Sequence, residues 1–122
     1  MTLEIRWYDE AKTIIYHRYV GDWTLEETYH IIDATYDMMM SVSHTVNVIT
    51  DMREAGKAPN ILSTSRYANQ RIAPNSGIAY LIQPGNFMIT IVHIARRLIP
   101  QYAAHLDTAD DIEDALEKIK AR

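Results

Sequence analysis

Asp51, Arg53 and Glu54 are the residues of this chain best placed to do chemistry. They follow Thr45-Val46-Asn47-Val48-Ile49-Thr50, a β-rich run that reads as a strand covered on both faces by helices. The carboxyl end of such a strand is where open α/β sheets usually place ligands. An aspartate directly after a buried run must find partners or water. Asp51 is therefore expected to accept backbone amides or to pair with Arg53. Glu54 reads first as the charge of a solvated loop, and second as part of a recognition surface shared with Asp51 and Arg53.

Other reactive residue types are scattered. His17, His30, His44, His93 and His105 form no HxH or HExxH arrangement, so each reads as structural or exposed rather than as a metal ligand. Asp110, Asp111, Glu113 and Asp114 lack the spaced oxygens and glycine of a calcium loop, and acids there more simply stabilise the positive end of a helix. The 4 glycines stand alone at 21, 56, 77 and 85, which excludes a Gly-rich phosphate loop. No serine sits in a nucleophile elbow. The absence of cysteine removes disulfides and thiolate chemistry. No catalytic residue, metal or cofactor is expected, and the chain reads as a non-enzyme.

With 122 residues the chain is long enough for one domain, expected to span 1–122. Its net charge of −4 gives no general attraction to nucleic acid or to an anionic membrane. The N-terminus, Met1-Thr2-Leu3-Glu4-Ile5-Arg6, lacks the basic region and apolar run of a secretory signal. The most apolar helical stretch, 87–99, is interrupted by His93, Arg96 and Arg97 and falls short of the ~20 residues a membrane crossing needs. A cytoplasmic location without membrane insertion follows as the expectation.

The elements that must position Asp51 are legible. Residues 3–7 and 13–20 read as two strands joined by the polar turn Asp9-Glu10-Ala11-Lys12. Thr24 with Glu27 three residues on forms a capping box, and Leu25, Tyr29, Ile32 and Tyr36 recur at helical spacing until residues 41–44 close the helix. Residues 45–50 form the central strand, and 52–60, with Gly56 and Pro59, read as irregular. Asn60 is expected to cap a helix over 61–72. Residues 78–82 make the next strand. A helix follows over 87–99, with Phe87, Ile91, Ile94 and Leu98 as its packing stripe and Pro100 as its stop. Residues 102–106 read as a weaker strand, after which Asp107-Thr108 leads into a last helix facing Ile112, Leu116 and Ile119 inward.

This order, with the hairpin, Gly21-Asp22-Trp23-Thr24, the central strand to Asp51, Ile78-Ala79-Tyr80-Leu81-Ile82 and the closing segment 107–116, resembles the STAS group. That is the fold of the anti-sigma factor antagonists, and the chain looks closest to their divergent SpoIIAA-like relatives. The resemblance implies an α/β SpoIIAA-like fold of order β-β-α-β-α-β-α-β-α, with a mixed central sheet and packed helices. It also implies a regulatory or protein-interaction role. In regulatory members a serine opening the helix after the central strand, in an Asp-Ser-x-Gly sequence, is phosphorylated by a partner kinase. The corresponding stretch is Asn60-Ile61-Leu62-Ser63-Thr64-Ser65. Ser63 is the nearest positional match and Ser65 the second. Neither has aspartate directly before it or glycine two residues after, so the phosphoacceptor region is degenerate. Free amides and the helix dipole favour phosphate there, and Arg66 and Arg71 stand ready to neutralise it. A protein partner is expected to meet Asp51, Arg53, Glu54, Asn60 and Arg66.

The remaining signal is apolar. Met38-Met39-Met40 ends the first helix, and helix 87–99 carries Phe87, Met88, Ile91, Val92 and Ile94 over more of its circumference than one stripe needs. Burial against both sheet and neighbouring helix is one explanation. A homodimer or partner surface, including Met39, Phe87, Met88 and Ile91, is another. A lipophilic pocket is the third, so binding or carriage of a small apolar or lipid-like ligand is the alternative function.

Overall fold

The computed structural model describes residues 3–57 and 60–122, with the side chains of Ile61, Asn86, Phe87, Met88, Ile91 and Tyr102 outside that description. Ten elements follow in the order β1 (Leu3–Trp7), β2 (Ile14–Gly21), α1 (Leu25–Met40), β3 (Val46–Ala55), α2 (Ile61–Asn69), β4 (Ser76–Ile82), α3 (Asn86–Leu98), α4 (Pro100–Ala103), β5 (Leu106–Ala109) and α5 (Ile112–Lys120). The strands form one mixed sheet in the order β1-β2-β3-β4-β5. β1 runs antiparallel to β2, and every other pair is parallel. Apart from the one-turn α4, this is the expected order.

Local chemistry starts the helices where expected. Glu27 N donates to Thr24 Oγ1 at 3.1 Å, and Glu27 Oε1 accepts from Thr24 N at 3.0 Å, completing the capping box of α1. Asn60 Oδ1 accepts from Ser63 N at 3.0 Å, and Asp111 Oδ1 from Asp114 N at 2.7 Å. At the other end of α1, Asn75 Nδ2 donates to Met39 O at 2.8 Å and to His44 O at 2.9 Å, so the turn before β4 ties down the last turn of the helix and the loop after it.

Alternation along the strands divides the core. On one face Leu3, Tyr19, Met52 and Leu81 pack with Ile31 of α1 and Val92 of α3, and Ile15, Val46 and Val48 pack with Met39. On the other, Ile14, Tyr16, Ile49, Tyr80 and Ile82 pack with Ala115, Ile112, Leu116 and Ile119 of α5. Strands so enclosed need apolar residues at nearly every position, as in the run around Ile49.

Several features differ from the sequence reading. β3 runs on to Ala55 through residues expected to be irregular. Past a bulge between Arg18 and Val20, β2 continues to pair Val20 with Glu54 and Gly21 with Ala55, so the end of β3 gains a ladder that composition does not advertise. The helix expected over 61–72 ends at Asn69, with Gln70 as its cap. The strand expected over 102–106 is replaced by α4, whose first residue is Pro100. A proline there costs nothing, because the first amide of a helix has no partner within it. The strand itself is displaced to β5, where Leu106 pairs with Ala79 and Ala109 with Ile82. Finally, Ile94 and Leu98, expected to pack, are 42% and 62% exposed, while Val92 and Ala95 are buried. At 3.6 residues per turn Ile94 lies about 100° from Ala95 and about 160° from Val92, so burying that pair turns Ile94 outward.

Candidate functional site

The polar residues of β2 and β3 form two clusters, one on each face of the sheet. Asp51 points to the α5 face, where it is 4% exposed. Its carboxylate accepts from Arg53 Nε at 2.9 Å, Arg53 Nη2 at 2.7 Å, Arg53 N at 3.1 Å and the Tyr16 hydroxyl at 2.8 Å. Arg53 sits two residues on, hence on the same face, and its fork meets both carboxylate oxygens. Hydrogen bonding from Arg53 holds Asp51 down at about 2. Burial, with the bond to Asp51, pushes Tyr16 up to about 12, and Asp51 in turn raises Arg53.

Around this centre each arginine has its own acid. Arg6 lies 3.0 Å from Glu4 and stacks its guanidinium 4.8 Å from the Tyr16 ring centroid. Arg18, paired with Asp51 in register, bonds Glu54. A general base works best with a pKa near the operating pH and a free lone pair facing substrate. Asp51 has a far lower pKa and spends its oxygens on four donors within the chain, so its geometry is that of a buried brace.

On the opposite face His17 lies between β2 and α1, 7% exposed. Thr35 Oγ1 donates its single proton to Ile31 O at 2.6 Å, so it accepts from His17 Nε2 at 2.9 Å. His17 Nδ1 is then the acceptor facing the Thr50 hydroxyl at 3.3 Å. This network fixes the neutral Nε2–H tautomer, and burial pushes the imidazole down to about 4. Sequence reasoning treated His17 as one of five scattered histidines. The parallel pairing of His17 with Thr50, which makes it a cluster, is a tertiary fact.

The stretch from Thr50 to Ser65 does not converge on one point. β3 is tied down at its end by Gly56 N to Gly21 O at 2.8 Å and Lys57 N to Asp22 Oδ1 at 2.7 Å. A Cβ on Gly56 would come within 2.8 Å of the Gly21 backbone, which accounts for the glycine. α2 then crosses to the α1 face, away from Asp51 and Arg53. There Tyr67 stacks on Tyr29 with ring centroids 4.0 Å apart and Arg71 covers Tyr67 at 3.6 Å. Asp33 accepts from the Tyr67 hydroxyl at 2.8 Å and from Arg71 Nε at 2.8 Å. Tyr29 and Asp33 are four residues apart on α1, and Tyr67 of α2 stands four residues before Arg71, just past the end of that helix. That spacing was the available signal for this clasp.

Of the two candidate phosphoacceptors, Ser65 is 4% exposed and faces the core side of α2, which corrects its nomination, since an enzyme could reach it only after local opening. Ser63 is half-buried in the first turn, with Asn60 and Arg66 exposed beside it. Glu54 is exposed on β3. Met39, nominated for an apolar surface, is 4% exposed and belongs to the core, because the last turn of α1 lies against β3. Phe87, Met88 and Ile91 fall outside the described side chains. Among the described residues no cluster of His, Cys, Asp or Glu could hold a metal ion, and no helix is long and apolar enough to cross a membrane.

No protein-family model matches the sequence, and no curated protein matches it. Solved structures similar in fold include the following two. A DUF3478-family protein with a SpoIIAA-like fold from Shewanella loihica PV-4 superposes with a TM-score of 0.67 at 13% identity, over 95% of this chain and 92% of that one. The anti-sigma factor antagonist SpoIIAA in its unphosphorylated form superposes with a TM-score of 0.54 at 12% identity, over 98% of this chain and 99% of that one.

Proposed function

From a SpoIIAA-like fold we infer a non-enzymatic regulatory or protein-interaction domain acting in the cytoplasm, with the first turn of α2 at the centre of its partner surface. The observation that carries this reading is the composition of that turn. Leu62 is 45% exposed, next to the accessible Ser63, with Asn60 and Arg66 exposed on either side. An apolar side chain held open to solvent beside a hydroxyl and a cation suits recognition by a protein. The outward Ile94 and Leu98 of α3 add apolar area to the same molecule.

One of the similar structures is an antagonist with an unphosphorylated form, and Ser63 is the residue here that suits such a switch. A phosphate on Ser63 would lie in the first turn of α2, where the dipole favours it, with Arg66 one turn away. The test is a partner captured with the wild-type chain, purified, and titrated against three variants. Ser63→Asp is expected to weaken binding about tenfold by placing charge in the contact, and Ser63→Ala to leave it unchanged. Leu62→Asp should weaken binding further. Equal affinity for Ser63→Asp and wild type would sink the switch, and equal affinity for Leu62→Asp would remove this turn from the partner surface.

A further inference from the structure

A cavity of about 130 Å³ lies between α1, α2 and the sheet, independent of the partner surface proposed above. Its floor is apolar and buried, with Met39 4% and Val48 5% exposed, and Ala68 and Ala79 form two of its walls. Its rim is polar and half-buried, carrying Tyr36, Arg71 and His105. A dry apolar cavity of roughly 150 Å³ takes up benzene, so this volume suits one six-membered ring and is far too small for an acyl chain.

The rim decides which polar group such a ring would carry. His105 Nδ1 lies 2.8 Å from Gly77 O. A carbonyl only accepts, so Nδ1 holds a proton, and Nε2 is the ring atom of this lining residue left for a ligand, an acceptor whenever the ring is neutral. Nε2 has no partner among the described residues. Arg71 would attract an anion, but its charge is already matched by Asp33 at 2.8 Å and its plane is stacked on Tyr67. Bringing a carboxylate to this rim would desolvate it without a free cation in return. A ligand hydroxyl can donate to His105 Nε2, which a carboxylate cannot do. The Met39 side chain on the floor favours an aromatic body over an aliphatic one.

We propose that this cavity is a binding site for a small neutral aromatic alcohol, with the ring on Met39 and Val48 and the hydroxyl donating to His105 Nε2.

The experiment is a titration of the full chain with phenol, toluene and benzoate, followed by methyl NMR at Met39 and Val48. Phenol is expected to shift both methyl sets saturably, with toluene about tenfold weaker for want of one hydrogen bond. Ala79→Leu and Ala68→Leu fill the cavity from different elements, and each should weaken phenol binding at least about tenfold. Circular dichroism and thermal melting establish that a variant is folded, and if one fails to fold the other decides. His105→Phe should abolish the preference for phenol over toluene while leaving toluene binding in place. Unshifted Met39 and Val48 methyls, or phenol binding unchanged by filling, would overturn the site. Benzoate binding more tightly than phenol would overturn the neutral-alcohol assignment.

Discussion

Thr50 and Asp51 are neighbours on β3, yet their side chains enter opposite faces of the sheet and belong to two buried polar clusters built on opposite principles. Around Asp51 the charge is kept. Arg53 supplies a fork of donors, Tyr16 adds a hydroxyl, and the carboxylate stays ionised while 4% exposed. Around Thr50 the charge is discarded. His17 meets two threonine hydroxyls and no carboxylate, so the imidazole is buried in its neutral form. A buried titratable group either brings its counter-charge or loses its own. Here one pair of adjacent strands does both, and the two clusters must therefore respond to acid in different ranges.

His17 gives the largest expected effect. Its native pKa of about 4 lies below the ordinary 6.5, so the unfolded chain takes up the proton first. The stabilisation is complete above pH 6.5 and is lost as pH falls from 6.5 towards 4. At 1.36 kcal/mol per pKa unit, the loss across that range is roughly 3 kcal/mol. Urea unfolding at pH 7.0 and at pH near 4 measures it, and His17→Gln should flatten the slope in this range. Asp51, with a native value of about 2 against 3.8, is also a stabiliser lost on acidification, but only below pH 3.8. A wild-type profile flat between pH 6.5 and 4 would break the contrast between the two faces.

The difference between the clusters also explains what could be read in advance. The pairing of Asp51 with Arg53 lies within three residues, and a charge directly after a buried run was reason enough to expect it; the alternation that puts both on one face came only with the longer β3. The capping box at Thr24 and the cap at Asn60 were equally local. His17 with Thr50 depends on register between β2 and β3, and Thr35 adds a contact from α1, so no window of sequence contains the cluster. The same limit hid the extension of β3, since residues 53–55 are ordinary loop composition until β2 is laid beside them. It also hid the orientation of α3. Periodicity identified an apolar stripe through Ile94 and Leu98, but the residues buried are Val92 and Ala95, and which face of an apolar helix is covered is settled by its tertiary neighbours.

Removing the cation tests the charged cluster directly. Arg53→Met leaves Asp51 buried with Tyr16 as its remaining side-chain donor, and breaking a fully buried pair in this way costs ~3–5 kcal/mol. The Arg53 side chain is 42% exposed, so solvent already screens part of the interaction and about 2 kcal/mol is expected from urea unfolding at pH 7. Asp51→Asn in the same background should recover part of the loss by removing the unmatched charge, and a double-mutant cycle reads the coupling. If Arg53→Met is neutral and Asp51→Asn brings no recovery, the carboxylate is held by something other than its arginine.

Tyr16→Phe is the finest cut. The ring keeps its place against Ile49 and Tyr80 and keeps the Arg6 guanidinium over its face, so only the hydroxyl is lost. A hydrogen bond to a charged acceptor contributes ~1.5–3 kcal/mol, but Asp51 retains three other donors here, all from Arg53. About 1 kcal/mol is therefore expected, less than for Arg53→Met. The sign of the accompanying shift is fixed: losing a donor to the ionised form raises the Asp51 pKa, so its acid transition moves upward from about 2. Carboxyl-carbon NMR follows that transition at the residue itself. The His17 range between pH 6.5 and 4 should be untouched, because the imidazole lies on the other face of the sheet. A change in both ranges from this one hydroxyl would mean that the two faces are coupled through β2 itself.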